Sequence, residues 1–70
     1  MPAASQAFAL IRVPRGHSRP SDDQLRAALQ ADRESINQPA PQAPTEMQVA
    51  GPYHILVDGT ELDEYVVWER

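Results

Sequence analysis

Cysteine and lysine are both missing from this 70-residue chain, and glycine and aromatic residues are scarce. The lack of cysteine excludes a disulfide framework and a thiolate metal site, and removes any pointer to an oxidising compartment. The two histidines, His17 and His54, lie far apart, and neither has a His, Asp or Glu at ligand spacing on a recognisable metal motif. Neither a metal nor another cofactor is therefore expected. Every basic side chain is an arginine, which points to a GC-rich coding source and leaves mechanism untouched. Long apolar runs are missing too. The stretch over residues 7–11 is shorter than a signal-peptide core and far short of a membrane span. With no basic start before it, a soluble cytoplasmic chain without membrane contact is the expectation.

Seventy residues allow one domain at most, near the lower limit at which a single hydrophobic core holds a fold. With disulfides and metals set aside, oligomerisation is the remaining aid. The formal net charge of −4 is unevenly divided. Residues 1–33 carry Arg12, Arg15, Arg19, Arg26 and Arg33 against Asp22, Asp23 and Asp32, a balance of +2. Residues 34–70 carry Glu34, Glu46, Asp58, Glu61, Asp63, Glu64 and Glu69 against Arg70, a balance of −6. Such asymmetry can steer association with a charged partner and says nothing about fold.

What is present is a small set of local signals. Residues 7–13, 53–57 and 65–68 read as strands, the first stopped by Pro14. Residues 1–6 read as a flexible tail. Ser21-Asp22-Asp23-Gln24 matches a capping box, and Leu25, Ala28, Leu29 and Ile36 follow helical spacing, predicting a helix over 22–36. Pro39 should stop it at Asn37 or Gln38. Residues 38–52 read as a Pro-rich extended connection, within which Met47 and Val49 alternate as a short edge strand would. Asp58-Gly59 predicts a tight hairpin turn, with residues 60–62 paired and a bulge near Leu62–Asp63. The expected fold is a small α/β (α+β) domain in β-α-β-β order, one helix on a three-stranded sheet ending in a hairpin. Strand order is left open.

These strands carry apolar residues on both faces, yet one amphipathic helix can cover only one face of a sheet. Phe8, Leu10, Tyr53, Ile55, Val57, Val66 and Trp68 are the candidate partner-binding residues of the other face. A second copy, another protein or the Pro-rich segment must cover them. Trp68, a terminal aromatic among charged residues, suits an interface anchor.

The loop Arg12-x-x-Arg15-Gly16-His17-Ser18-Arg19 is an alternative site. Arginine forks match phosphate oxygens, and free helix N–H groups follow. It lacks the glycine spacing of a phosphate loop, however, and Asp22 and Asp23 already place negative charge there. Its bland reading is a solvated loop whose arginines pair with the acidic hairpin. That hairpin, with Asp58, Glu61, Asp63 and Glu64, could imitate phosphates toward a basic nucleic-acid-binding surface of a host protein. Its bland reading is a soluble turn that discourages edge-to-edge aggregation. The calcium-loop spacing is not met. His17 beside Ser18 has no third residue to complete a nucleophile, and Pro41-Gln-Ala-Pro44 has the PxxP spacing without a flanking basic residue.

The sequence therefore points away from an enzyme and from direct nucleic-acid binding. It points toward a small acidic protein-binding module, a homodimer or a regulator or inhibitor of a larger host complex. Small phage and plasmid proteins share this size and acidity, a compositional analogy only. Phosphate or nucleic-acid binding through the arginine loop, or a structural role in an assembly, are the alternatives.

Overall fold

Ser21 shows how local chemistry sets the first boundary of the helix. In the computed structural model, which describes residues 7–70, its hydroxyl accepts the Gln24 N–H at 3.2 Å, while the Gln24 side chain accepts the Ser21 N–H at 3.0 Å. The capping box thus forms as the sequence predicts, and α1 runs Asp22–Ser35. Its far end stops before Pro39 acts. Asn37 takes a left-handed φ of 56°, and the Asn37 and Gln38 N–H groups turn back to the Glu34 and Arg33 carbonyls. This is the closed cap that satisfies final-turn carbonyls. Ile36 consequently leaves the apolar stripe and is exposed, while Arg33 takes the inward position instead. The tail expected over 1–6 lies outside the described residues.

Three strands follow the order β1 (Phe8–Pro14), β2 (Met47–Val57) and β3 (Thr60–Glu69), giving the expected β-α-β-β chain. In the sheet the order is β1-β3-β2, with both pairings antiparallel. β3 is therefore central, which resolves the strand order that sequence leaves open. Pro14 ends β1 on an edge strand, where a missing N–H is tolerated. Asp58 and Gly59, at φ 50° and 79°, make the tight turn that joins β2 to β3. Both central residues have positive φ, the geometry whose twist matches a hairpin. Thr60–Leu62 is paired, as expected.

Two strand details differ from expectation. The bulge is not near Leu62–Asp63; the register shifts on the facing strand, between Ala50 and Tyr53. Gly51, at φ 121°, and Pro52, which has no N–H to offer a ladder, take up the extra residue there. β2 can therefore continue through what reads as a breaker. The connection expected over 38–52 gives way to strand at Met47.

α1 lies chiefly over β1 and reaches β3. Leu25 and Leu29 pack against Ala7 and Val67, with Ala9, Ile11, Met47 and Val49 around them. Tyr65 is buried on the same side of β3. Arg33 donates to Glu69 and, at 2.6 Å, to the Gln30 amide oxygen, closing the core at the end of the helix. Thr45 donates its hydroxyl to the same Glu69, which draws the Pro-rich connection to the helix side of the sheet.

Candidate interaction face

Alternation along each strand sends every second side chain away from α1. The register then aligns these side chains in rows: Phe8–Trp68–Gln48, Leu10–Val66–Ala50, Arg12–Glu64–Tyr53 and Pro14–Leu62–Ile55, with Thr60–Val57 at the turn. All seven residues expected to form the uncovered apolar face share this one face. Phe8 is 55 % exposed, Leu10 52 % and Tyr53 52 %, although each lies within a sheet. Ile55, Val57, Val66 and Trp68 are half-buried. The Pro-rich connection does not cover them, because its Thr45 contact holds it on the opposite side.

Sequence reasoning misses Leu62 and Ala50, which extend the same face. The signal for Leu62 lies in the Asp58-Gly59 turn: a tight turn fixes which β3 residues face the same way as Val66 and Trp68. Ala50 needs the bulge as well, since its parity differs from that of Tyr53. Gln48 and Thr60 are polar residues at the two ends of the face, and one charged pair interrupts the apolar rows. Arg12 Nε donates to Glu64 Oε2 at 3.0 Å across β1 and β3.

The four acidic residues do not form one cluster. Glu64 belongs to the open face, and Asp63, its neighbour, points to the helix side. Glu61 pairs with Arg15 at 3.1 Å, and Asp58 sits in the turn. Asp63 is only 4 % exposed, against the expectation of a solvated turn charge. It accepts the Gly16 N–H at 3.1 Å and faces His54 Nδ1 at 2.6 Å, tying the β1–α1 loop and β2 to β3.

The arginine loop is occupied in the same way. Arg12 pairs with Glu64, Arg15 with Glu61, and Arg19 with Asp22 at 3.6 Å. Arg12 and Arg15 pair with the acidic hairpin, as the bland reading of that loop has it, whereas Arg19 faces Asp22 in the first turn of the helix. Arg12–Glu64, Arg15–Glu61 and Arg33–Glu69 join the positive first half of the sequence to the negative second half. Three of the seven acidic residues of the second half are thus matched by arginines of the first. Arg19 and His17, with Ile11, Val13, Pro14 and Ala28, line an open recess of about 620 Å³ between β1 and the helix. Among the described residues no group of three or more His, Cys, Asp or Glu side chains is placed to hold a metal. No described helix is long and apolar enough to cross a membrane.

The Gly16 N–H, then the His54 side chain, hold the Asp63 carboxyl below its ordinary value, outweighing the effect of its burial. A carboxylate with a depressed native pKa contributes stability above its unfolded value and loses it as pH falls through the native one. Asp63 should therefore stabilise the fold at neutral pH and lose that contribution only in acid, below about pH 4. Urea unfolding of Asp63→Asn and the parent chain at neutral and acid pH checks this. The gap between them should narrow in acid; a constant gap excludes Asp63 as a source of the pH dependence.

Comparison of the chain with protein-family models, with curated proteins and with solved structures finds no match.

Proposed function

We propose that this protein is a non-enzymatic protein-binding module that docks through the open sheet face. In that role it acts as a regulator or inhibitor of a larger assembly. The observation that carries the reading is the set of apolar side chains turned away from α1, with Phe8, Leu10 and Tyr53 each more than half exposed. Monomeric proteins rarely leave a contiguous apolar patch beyond a few hundred Å² uncovered. Aromatic residues beside aliphatic ones, with few charges, also match the composition of interface centres. Pairing of the loop arginines with carboxylates of the chain itself favours this face over the anion-binding alternative.

The test uses the full chain as bait in extract of the native host, beside Leu10→Asp and Trp68→Ala baits. Both side chains lie on the open face, so the fold should survive and capture should not. Truncating an anchor at the centre of an interface typically costs 2 kcal/mol or more, about thirtyfold in affinity. A protein retained by the parent bait and lost from both variants supports the reading. Equal capture by folded variants would remove the face from the function.

A further inference from the structure

We propose that the open face docks against the same face of a second copy of this chain, with β1 of each copy over β3 of the other. The inference rests on the reading of this face as a protein-docking surface and names its occupant. Charge placement carries it. Gln48 on β2 and Thr60 at the turn are the polar margins of the face. Across β1 and β3 it is apolar from Phe8–Trp68 to Pro14–Leu62 except for one row, where Arg12 and Glu64 lie side by side. Any partner that covers the neighbouring rows must also meet this pair.

A second copy brings the matching pair, and symmetry decides how it is presented. In a face-to-face dimer the two-fold axis lies in the plane between the sheets, so the contact is self-complementary. Aligned sheets keep their strands within about 30° of each other and pack about 10 Å apart. An axis across the strands, along the charged row, sets Arg12 over the second copy's Arg12. An axis along the strands and centred on β3 sets Glu64 over the second copy's Glu64. Either choice buries like charges together. An axis along the strands between β3 and β2 leaves Phe8 and Leu10, both exposed, beyond the contact.

An axis along the strands between β1 and β3 leaves Tyr53 on β2 beyond the contact, but it covers Phe8 and Leu10 and is the one choice that brings opposite charges together. It places Arg12 over the second copy's Glu64, and Glu64 over the second copy's Arg12. The same operation sets Phe8 over the second copy's Trp68 and Leu10 over its Val66, because these are cross-strand neighbours in one chain. Each ion pair becomes half of a four-charge ring enclosed by apolar rows. The ring specifies register, a well-attested use of interfacial charge. Its extent is modest. Two strands of seven residues cover roughly 10 by 23 Å in projection. That falls below the ~800 Å² per partner of a standard interface, and the dimer belongs at the weak, micromolar end.

Sedimentation equilibrium on the full chain, from micromolar toward millimolar protein, tests the assignment. The parent chain should show a reversible monomer–dimer equilibrium. Arg12→Glu and Glu64→Arg should each weaken self-association by at least about tenfold, since like charges then face each other. An equimolar mixture of those two variants should restore dimerisation, because each supplies the charge the other lacks. The double variant Arg12→Glu/Glu64→Arg keeps the pair within the chain and should dimerise like the parent, which also controls for folding. A parent chain that stays monomeric, or a mixture no better than the single variants, overturns the proposal. If the parent is monomeric but bait capture still depends on Leu10, a different protein occupies the face and the docking role survives. If neither is seen, both readings fail.

Discussion

Arg33→Ala is expected to destabilise the fold by about 3 kcal/mol, toward the low end of what breaking a buried ion pair costs because this pair lies at the end of the sheet. Arg33 sits in the last turn of α1 with its side chain almost wholly covered, and its guanidinium donates to Glu69 at the end of β3. Burial pushes the Glu69 carboxyl up, but the hydrogen bonds from Thr45 and Arg33, with the charges of Arg33 and Arg26, outweigh it and hold the value below the ordinary one. Removing Arg33 leaves a desolvated carboxylate with the Thr45 hydroxyl as its close partner. For a domain of this size the loss should lower the melting temperature by more than about 10 °C. Urea and thermal unfolding of Arg33→Ala, Glu69→Leu and the combination Arg33→Met/Glu69→Leu separate the contributions. Each single change should be costly, whereas the apolar pair should recover most of the loss, since hydrophobic replacement of a buried pair is often neutral. A single-variant cost within about 0.5 kcal/mol, the scale of ordinary surface substitutions, would show the pair to be dispensable.

The same arginine marks the limit of what the sequence discloses. The Ser21 capping box and the Asp58-Gly59 turn are local, so the helix start and the hairpin can be read from a few adjacent residues. The open face is legible for a related reason: alternation within each strand is enough to group Phe8 with Leu10, Ile55 with Val57, and Val66 with Trp68. The partner of Arg33 lies 36 residues away, and no local pattern names it. At that position the helical stripe is completed by a charge whose stem packs and whose head is neutralised from β3. The dispersal of the acidic hairpin was readable in principle. Asp63 and Glu64 are consecutive in a strand, so they must face opposite sides. That β1 lies against β3 rather than β2 is not encoded locally at all. It follows from where α1 and the Pro-rich connection deliver the chain.

Gly51→Ala is expected to be nearly as damaging, at about 2–3 kcal/mol, for a reason confined to the backbone. Gly51 has φ 121°, and a Cβ there would lie 2.7 Å from the Glu64 carbonyl oxygen and 3.3 Å from Tyr65 Cα. Those are atoms of the central strand, which cannot retreat without disturbing its pairing to β1. Gly59 provides the control: its φ is also positive, at 79°, but nothing lies within 4 Å of an added Cβ. Gly59→Ala should therefore cost only the left-handed backbone strain, about 1–2 kcal/mol. The excess at Gly51 measures the close approach, and equal urea midpoints for the two variants would deny it. The bulge around Gly51 also decides which side of β2 faces outward. Without the bulge, pairing that continued residue for residue from Ala50 would set Tyr53 opposite Asp63, sending Tyr53, Ile55 and Val57 to the helix side and His54 and Leu56 to the open face. A chain that relieves the clash by slipping its register would lose those three residues from the docking surface. Amide exchange along 53–57 in Gly51→Ala distinguishes a strained but correctly paired strand from a slipped one. The strained strand keeps the parent pattern of protection at lower stability, whereas the slipped strand exchanges along its whole length and presents an altered face.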